Sequence, residues 1–422
     1  MHSSQDVSRM HIQQLKNSAG IVALAALPPL SLYVHIPWCV RKCPYCDFNS
    51  HEMKPPHNHS LPLSEERGMA GIDPELERQY VSALIADLEL TLPQVWGRPV
   101  HTVFFGGGTP SLLSARALDE LLSAIRARLP LAPDAEITLE ANPGTFEAKK
   151  FAEFRAAGVN RLSIGIQSFD PAHLKALGRI HDGVQARAAI EIAQVSFDNF
   201  NLDLMYALPG QTVEQALADI DTAIAFGPEH VSAYHLTIEP NTYFSRHPPQ
   251  IPDQDLAADM QEAIEARLAS AGYRHYETSA FARPAREARH NRNYWTFGDY
   301  LGIGAGAHSK LSFADRILRQ MRVKHPRDYL EKISAGVPVQ QEQRLAAEEL
   351  PFEFMMNALR LIDGFELRLF AERTGMPVHV LRKPLEAAER SGLIERDHLR
   401  VRPTLRGQRF LNDLLQIFLN AG

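Results

Sequence analysis

Short apolar runs alternate with longer segments of helical periodicity along the first part of the chain. Runs rich in β-branched and aromatic residues predict strands at 31–36, 101–105, 136–140, 161–166, 200–205 and 230–236. Apolar positions that recur every three to four residues predict helices at 75–92, 115–128, 146–157, 170–177, 183–193 and 212–225. Strands that alternate with helices in this way indicate a parallel sheet, either open or closed into a barrel.

The pattern changes after about residue 343. Helical periodicity then predicts three helices, a short hairpin and a last helix, at 352–361, 365–374, 378–391, 393–401 and 407–419. Three helices and a hairpin resemble a winged-helix domain. We therefore predict an α/β protein in three parts: a flexible N-terminal extension at 1–29, a barrel with its extension at 30–342, and a winged-helix-like C-terminal domain at 343–422.

Composition and charge exclude several classes of protein. The chain of 422 residues has a formal net charge of -6, so nothing global indicates nucleic acid as a partner. No apolar run has the length of a membrane-spanning helix. The short apolar stretch at 20–27 leads into Pro28 and Pro29, which favours an extension over a signal peptide. Segment 51–72 holds many Pro, His, Ser and Gly residues and predicts a mobile insertion.

All three cysteines of the chain lie in one loop, Cys39-Val-Arg-Lys-Cys43-Pro-Tyr-Cys46, directly after the first predicted strand. An odd, clustered set cannot form a disulfide framework, so it indicates metal ligation in a reducing, cytoplasmic compartment. Three thiolates leave one iron of a [4Fe-4S] cluster open to chelate S-adenosylmethionine, which the reduced cluster can cleave. The alternative is a zinc site with His35 or His51 as a further ligand, but the C-x3-C-x2-C spacing favours the cluster.

Unusual residues follow the predicted strands at their carboxyl ends, where parallel barrels build their active sites. The amides of the 106–109 segment, Gly-Gly-Gly-Thr, are candidates for binding a carboxylate, although a tight strand–helix turn also explains such glycines. Glu140 is either an acceptor for ribose hydroxyls or a solvated acid. Gln167 and Asp203 end two further strands, and Arg179 is either a ligand contact or a plain surface arginine.

A set of motifs then identifies a family. The chain resembles the HemW-type heme chaperones, relatives of oxygen-independent coproporphyrinogen III dehydrogenase, from about Pro29 to its C-terminus. The resemblance rests on the segments YVHIPWCVRKCPYCDFNSH, FFGGGTPSLL, LEANPGT, RLSIGIQSF, LGRIH, NLDLMYALPGQ, GYRHYETSAFA and HNRNYW. It implies a radical S-adenosylmethionine partial TIM-like barrel followed by a helical C-terminal domain.

The resemblance also implies roles for individual residues. Cys39, Cys43 and Cys46 match the cluster ligands, and Tyr45 matches an aromatic that packs on the adenine. The remaining positions match contacts to S-adenosylmethionine: Tyr33, Gly107, Gly108, Thr109, Glu140, Gln167, Arg179 and Asp203. Some of these serve a second S-adenosylmethionine in the dehydrogenase.

Two departures separate the chain from the dehydrogenase. The dehydrogenase has a fourth cysteine two residues after the last ligand, whereas this chain has Phe48 there. The long N-terminal segment of the dehydrogenase has no clear counterpart in residues 1–28. Both differences argue against porphyrinogen decarboxylation, so the sequence predicts no dehydrogenase activity on coproporphyrinogen III.

The segment from His290 to Trp295, HNRNYW, matches a motif linked to heme binding in these chaperones. The imidazole of His290 can ligate heme iron, and Tyr294 and Trp295 offer flat apolar area for the macrocycle. The alternative is that His290 caps a helix while the two aromatic side chains fill the core.

The sequence therefore predicts a cytoplasmic heme chaperone that delivers heme to apo-hemoproteins and that carries a [4Fe-4S] cluster and S-adenosylmethionine. Its expected partners are heme, an acceptor apo-hemoprotein and an electron donor for the cluster; peripheral membrane contact stays open. The enzyme alternative is coproporphyrinogen III dehydrogenation. A third alternative, a DNA-binding regulator, is opposed by the mixed charges of 378–391, so no nucleic acid is expected.

Overall fold

The computed structural model describes residues 22–53, 71–144 and 148–419. Most of the predicted extension at 1–29 and of the predicted insertion at 51–72 lies outside the described residues. The described strands, in chain order, are β1 Leu30–Ile36, β2 Trp38–Cys39, β3 His51–Glu52, β4 Val100–Gly107, β5 Leu131–Ala141, β6 Arg161–Gln167, β7 Phe200–Tyr206, β8 His230–His235, β9 Arg274–Glu277, β10 Ala280–Ala282, β11 Asp299–Ile303, β12 His308–Phe313, β13 Arg316–Arg322, β14 Val339–Arg344, β15 Phe365–Glu366, β16 Ile394–Arg396 and β17 Arg400–Pro403.

Helices connect most of the strands and build much of the C-terminal region. Their bounds are α1 Pro74–Val95, α2 Ala115–Arg128, α3 Ala148–Ala157, α4 Pro171–Ala176, α5 Gly183–Ser196, α6 Val213–Phe226, α7 Tyr243–Arg246, α8 Gln254–Ser270, α9 Arg289–Trp295, α10 Pro326–Ser334, α11 Leu350–Ala358, α12 Leu367–Thr374, α13 Arg382–Arg390, α14 Leu405–Arg409 and α15 Leu411–Leu419. Short 3-10 turns occur at Pro110–Leu112 and Val378–Leu381.

One twelve-stranded sheet organises the barrel part, in the order β14-β13-β12-β11-β1-β4-β5-β6-β7-β8-β10-β9. The run from β11 to β8 is parallel throughout, whereas the strands beyond either end of it are antiparallel. The sheet is therefore an open, partial barrel of α/β type, as the sequence predicts. The strands and helices predicted up to residue 236 are confirmed, with shifts of a few residues at their ends.

Local capping explains where several helices begin. The Asp182 side chain accepts from the amides of Val184 and Gln185, while the Gln185 side chain accepts from the Asp182 amide. This reciprocal capping box satisfies backbone donors that the first turn leaves free. Thr212 and Gln215 form the same arrangement at the start of α6. The Thr212 cap begins α6 after β7, and the Asp182 cap begins α5 after the short helix α4.

The two faces of the sheet differ in polarity. The outer face of β1, with Leu32 and Val34, is fully buried in the main apolar core. The opposite face carries polar side chains that hydrogen-bond across strands: Thr102 Oγ1 donates to Ser31 Oγ at 2.7 Å. The inner face is therefore built to hold polar groups rather than to be filled by aliphatic ones.

A buried ion pair joins α1 to the β11–β14 side of the sheet. Asp87 and Arg322 both have fully buried side chains, and Arg322 Nε lies 2.9 Å from Asp87 Oδ1. The other oxygen of Asp87 accepts from Tyr329 Oη at 2.9 Å and from the Gly304 amide at 3.1 Å. The buried Asp87 carboxylate needs all of these partners because burial has removed the water that would otherwise solvate it.

The C-terminal region has its own apolar core around Phe354, whose ring centroid lies 5.0 Å from that of Phe365 and 5.3 Å from that of Phe370. A small sheet, β15-β17-β16, closes this helical region. Val22 and Leu24, in the described part of the predicted extension, belong to the same core. Among the described residues, no helix is both long and apolar enough to cross a membrane.

Candidate cluster and S-adenosylmethionine site

The cysteine loop leaves the carboxyl end of β1 and is closed at its base by a parallel bridge. Strand β2 pairs with β3, so that Cys39 lies opposite Glu52, and the Met53 amide donates to the Cys39 carbonyl at 3.0 Å. Within the loop, the Cys46 amide donates to the Cys43 carbonyl at 3.1 Å. The backbone thus holds the three cysteines in one compact turn.

Each of the three thiols has a polar side chain beside it, and these three side chains come from separate positions in the chain. Thr109 Oγ1 lies 3.6 Å from Cys39 Sγ, and Ser50 Oγ lies 3.6 Å from Cys46 Sγ. Arg179 Nη1 lies 3.7 Å from Cys43 Sγ. Hydroxyl and guanidinium donors favour the thiolate form that metal ligation requires. The half-buried thiols therefore have the donor chemistry that suits an iron–sulfur cluster.

Without a metal, burial raises the pKa of the Cys46 thiol. Burial raises the pKa of Cys39 to about 11, and the nearby Cys46 and Cys43 add to the effect. Within the described residues, no three His, Cys, Asp or Glu side chains are gathered in a metal-ligating arrangement. The assignment of Cys39, Cys43 and Cys46 as cluster ligands therefore stays a prediction.

His35 is poorly placed to be the zinc ligand that the alternative requires. Its Nδ1 lies 2.9 Å from Tyr33 Oη and its Nε2 lies 2.9 Å from the Asn49 carbonyl, so both ring nitrogens are engaged. His51 keeps a buried Nε2 without a hydrogen bond among the described residues, and its ring centroid lies 5.4 Å from that of His325.

The glycine loop is required by close packing of the β4 end against β1. A side chain on Gly107, whose φ is +117°, would place Cβ 2.6 Å from His35 Cε1, and one on Gly108 would lie 2.5 Å from the Trp38 carbonyl oxygen. No residue but glycine avoids these overlaps. The turn alone therefore accounts for these glycines.

The amides of the same loop already have protein acceptors. Gly107 N–H donates to Glu140 Oε2 at 3.2 Å. Gly108 N–H donates to the Ile36 carbonyl at 2.7 Å, and Thr109 N–H donates to the Trp38 carbonyl at 2.8 Å. A bound ligand carboxylate would have to displace one of these acceptors, and the side chain of Glu140 is the one that can rotate away.

Two acidic side chains face the inner side of the sheet. Glu140 lies at the end of β5, whereas Asp203 lies in the middle of β7 and not at a strand end as the sequence predicts, because β7 continues to Tyr206. Ser163 Oγ donates to Asp203 Oδ2 at 2.9 Å, and Asn201 Nδ2 donates to Asp203 Oδ1 at 2.8 Å. Burial raises the pKa of Glu140 to about 8, and the charge of Asp203 contributes. Burial likewise raises the pKa of Asp203. Hydroxyl groups of a ligand would satisfy both carboxyls.

The raised pKa of Glu140 predicts an unusual pH dependence of stability. Glu140 ionises at its ordinary value, 4.5, in the unfolded chain but at about 8 in the folded one. The folded state therefore binds the extra proton between these values, and its stability is lost progressively as the pH rises from about 4.5 to about 8. We expect Glu140→Gln to gain free energy of unfolding relative to the wild type across this window, measured by urea denaturation. Glu348→Gln, at an exposed acid, should show no such trend; a flat difference for Glu140→Gln would refute the assignment.

Arg179 connects three of the strand-end segments. Its Nη2 donates to Asn142 Oδ1 at 2.6 Å and to the Gly165 carbonyl at 2.7 Å, while its Nε is buried without a hydrogen bond among the described residues. Asn142 Nδ2 in turn donates to Thr109 Oγ1 at 3.1 Å. These residues line a small cavity of about 30 Å³ next to Cys43. Arg179 is therefore an organising residue of this edge rather than a surface arginine.

Gln167 and the two tyrosines lie around the same edge. Gln167 has a φ of +66°, which is rare for a residue with a side chain, and follows an irregularity in the β6–β7 register. The ring of Tyr33 stacks on Phe104 at 6.0 Å. Tyr45 packs against the Phe244 ring at 6.5 Å and a small apolar cluster. Their contacts to S-adenosylmethionine stay a prediction.

His290 lies elsewhere, inside α9, and it does not cap the helix, whose N-cap residue is Ala288 and has no side-chain cap. It is 6% exposed, and its ring centroid is 4.3 Å from that of Phe104. Its Nδ1 lies 2.8 Å from Glu136 Oε1. Glu136 precedes Glu140 by four residues on β5, a distance of about 13 Å along a strand. His290 is thus separate from the cluster edge.

The His290–Glu136 pair fixes the protonation of the imidazole. Burial lowers the pKa of His290. Burial alone would raise the pKa of Glu136. His290, Arg161 and the Arg289 amide stabilise its carboxylate more strongly, so that the pKa falls to about 2. At neutral pH the pair is a carboxylate accepting from Nδ1–H of a neutral imidazole, which leaves the Nε2 lone pair for a metal, the usual arrangement of a metal-binding histidine.

Two residues of this constellation were missed by the sequence reasoning. Asn142 follows β5 in an Asn-Pro-Gly turn, and a polar residue directly after a strand end was the available signal. In the sequence, only the alternation of the strand marks Glu136: it lies two positions before Thr138 and four positions before Glu140, on the same face. Its pairing with His290 depends on a contact across 154 residues of chain.

Comparison with known proteins identifies the family and the fold. The family model described as the radical SAM superfamily matches residues 33–223, and the model described as the HemN C-terminal domain matches residues 345–410. The fold is similar to that of coproporphyrinogen III oxidase (HemN) from Escherichia coli, a radical SAM enzyme, with a TM-score of 0.75 and 21% identity over 96% of this chain and 98% of that one.

Two relatives found by sequence are more similar to this chain in amino-acid identity than that structure is. The heme chaperone HemW of Escherichia coli K12 is 47% identical over 400 residues, which cover 94% of this chain and 100% of the relative. The heme chaperone HemW of Haemophilus influenzae is 43% identical over 93% of this chain and 98% of the relative. The chain belongs to the HemW family within the radical SAM superfamily.

Proposed function

We propose that this protein is a heme chaperone that binds heme and transfers it to apo-hemoproteins, and that it carries a [4Fe-4S] cluster and S-adenosylmethionine. The observation that carries the proposal is the 47% identity to a heme chaperone over 94% of the chain. The use of all three cysteines in a single loop supports a cytoplasmic location, where thiols stay reduced.

The cysteine loop fits the proposed cluster. Cys39, Cys43 and Cys46 would hold it, and such a cluster supplies an open iron for the amino and carboxylate groups of S-adenosylmethionine and a single electron. Arg179 and Thr109 would stabilise the thiolate charge through the contacts that they already make. Reduction of the cluster requires an electron-donor partner.

The strand ends fit the rest of S-adenosylmethionine. Glu140 and Asp203 would accept hydrogen bonds from ribose hydroxyls, which replaces the water that burial has removed. Gln167 offers both a donor and an acceptor at the adjoining edge. The ring of Tyr45 would cover the adenine, because its other face already packs on an apolar cluster.

His290 is the proposed heme ligand. A neutral imidazole is a common axial ligand of heme iron, and Glu136 holds the ring in the tautomer that presents Nε2. Tyr294 and Trp295 are half-buried, and Trp295 already stacks under the Arg360 guanidinium, 4.3 Å from the ring centroid. The coproporphyrinogen alternative is disfavoured by Phe48, which is 61% exposed beside the cluster loop where that enzyme has a cysteine.

The proposal is tested by heme titration of the anaerobically purified protein. We expect a Soret band that His290→Ala weakens or shifts, while the iron–sulfur absorbance stays unchanged. His173→Ala is the matched control, since His173 is 4% exposed on the short helix α4 and outside the motif. Unchanged heme affinity and spectrum in His290→Ala would refute the ligand assignment.

The same preparation decides between chaperone and dehydrogenase. Incubated anaerobically with reductant, S-adenosylmethionine and coproporphyrinogen III, the protein should form no protoporphyrinogen IX. Clear turnover would show that the enzyme alternative is right, and absence of any heme binding by the wild type would refute the chaperone function.

A further inference from the structure

The carboxyl end of β6 closes in a strained turn. Ser168 N–H donates to the Ile166 carbonyl at 2.9 Å, and this bond makes Gln167 the central residue of a γ-turn. Gln167 has a φ of +66°, and the γ-turn with a positive φ at its centre is the rare, strained form. A glutamine in this conformation costs free energy, which the surrounding structure has to offset.

The strand register shows the same distortion. Gly165 lies opposite Asp203 on β7, whereas Gln167 lies opposite Leu204, so β6 carries one more residue than β7 between these two pairs. An extra residue of this kind is a β-bulge, which changes the direction of a side chain. The side chain of Gln167 is therefore not where a regular strand would place it.

The turn brings the Gln167 amide over Gly165. A side chain on Gly165 would place its Cβ 3.0 Å from Gln167 Nε2 and 3.4 Å from Arg179 Nη2. The amide thus lies in space that a larger residue at 165 would fill, beside Arg179, which reaches Cys43. Under the proposed function, this is the position from which Gln167 contacts S-adenosylmethionine.

Two side chains of the loop between α4 and α5 bind the carbonyls that precede Gln167. Arg179 Nη2 donates to the Gly165 carbonyl at 2.7 Å, and His181 Nε2 lies 3.1 Å from the Ile166 carbonyl. The Ile166 oxygen therefore accepts from both Ser168 N–H and His181, which uses its two lone pairs. One loop thus holds the strained turn through its backbone.

The protonation of His181 fits it for this contact. Burial lowers its pKa to about 4, and the charge of Arg179 adds to the effect. At neutral pH the ring is neutral, so its one N–H has to lie on Nε2, facing the carbonyl oxygen. His181 is 4% exposed, and its Nδ1 is buried without a hydrogen bond among the described residues. The hydrogen bond that the ring makes is the one to the strained turn.

We propose that His181 is a positioning residue that stabilises the γ-turn at 166–168 and thereby holds the Gln167 amide in place for S-adenosylmethionine. This inference rests on the proposed function, because S-adenosylmethionine is the ligand. Without the bond from His181, Gln167 would relax toward a negative φ, and its amide would leave the space over Gly165.

The first test measures the strain by urea denaturation. Gln167→Gly and Gln167→Ala both remove the amide, but glycine adopts a positive φ without steric cost. We expect Gln167→Gly to unfold at a higher urea concentration than Gln167→Ala, the reverse of the order at an ordinary strand position. Ala285→Gly is the positive control: Ala285 is exposed, has a φ of +62°, and lies outside β6, so this change should also raise the urea midpoint.

The second test measures the Kd of radiolabelled S-adenosylmethionine by equilibrium dialysis, with all variants anaerobically reconstituted to equal iron content. His181→Phe keeps a ring but removes the donor, and it should raise the Kd about two- to tenfold, the factor that corresponds to one neutral hydrogen bond. In a Gln167→Ala background the same change should alter the Kd by less than about twofold. His181→Gln, whose Nε2 can donate to the same carbonyl, should restore most of the affinity.

His173→Phe is the matched control for the second test. His173 is also 4% exposed and also has a buried Nδ1 without a hydrogen bond among the described residues, but it lies on α4 rather than in the loop that binds the β6 carbonyls. The Kd should therefore stay at its wild-type value in this variant.

The outcomes separate this inference from the proposed function. An unchanged Kd in His181→Phe, or an equal rise with and without Gln167, overturns the role of His181 while the S-adenosylmethionine site stands. A urea midpoint for Gln167→Gly at or below that of Gln167→Ala overturns the strain on which the role depends. A wild type that binds no S-adenosylmethionine overturns the proposed site and the role of His181 together.

Discussion

Replacing any one of Cys39, Cys43 and Cys46 by alanine is expected to reduce the iron content after anaerobic reconstitution from about four atoms per chain to nearly none. The chain has three cysteines in all, so no other thiol can take over the lost position. Two thiolates would leave two irons of the cubane open, and hydrolysis in water would then compete with assembly. Iron and sulfide analysis, with the visible absorbance of the cluster, measures the effect.

A control variant separates the loss of a cluster ligand from a defect in the folding of the cysteine loop. Ser50→Ala removes the hydroxyl that lies 3.6 Å from Cys46 Sγ but leaves all three thiols, so it should keep the four irons. Unfolding by urea should be similar for all four variants. Stoichiometric zinc without visible absorbance in the wild type, or four irons in a cysteine variant, would show that the cluster assignment is wrong.

The largest loss of stability is expected from Arg322→Met, at about 3–5 kcal/mol of unfolding free energy. The side chain is fully buried, and its removal leaves Asp87 charged in the interior with only Tyr329 and the Gly304 amide as partners. Methionine fills much of the same volume, so the loss comes from the uncompensated charge rather than from a cavity. Urea denaturation at neutral pH measures it.

The control and a second variant separate the electrostatic cost from packing. Arg128→Met breaks an ion pair with Glu89 that is partly exposed, and it should lose less than about 1 kcal/mol. The double change Asp87→Leu with Arg322→Met removes both charges and should recover most of the stability. A double variant as unstable as Arg322→Met alone would show that packing dominates.

The first half of the barrel was predictable because its determinants are local. Alternating runs such as Phe200–Tyr206 and caps such as Asp182 act within a few residues. The segment from 237 to 342 gave no predicted elements, although it contains β9 to β14. Strand β11 lies beside β1 through parallel pairing that runs from Asp299 opposite Leu30 to Ile303 opposite Val34, and no local pattern records contacts across that length of chain.

The same difference between local determinants and long-range contacts applies to the candidate site. The cysteine spacing, the glycine loop and the polar strand ends are visible in sequence, because each is a departure from what packing requires. What these residues contact was not predictable: the Gly107 amide pairs with Glu140, and His290 pairs with Glu136, only once parallel strands are in register. The sequence therefore indicates which side chains are unusual, and the fold decides which of them meet.

Residues 22–24 lie ahead of the barrel in sequence but complete the core of the C-terminal region. Val22 and Leu24 pack there with Leu414 and Phe418, and a side chain on Gly375 would overlap the Ala23 backbone. During synthesis at 5–20 residues per second, these early residues have to wait about 20–80 s for their partners. The nascent chain thus exposes the apolar side chains of Val22 and Leu24 to solvent until the helix that carries Leu414 and Phe418 is synthesised, so this core is completed late.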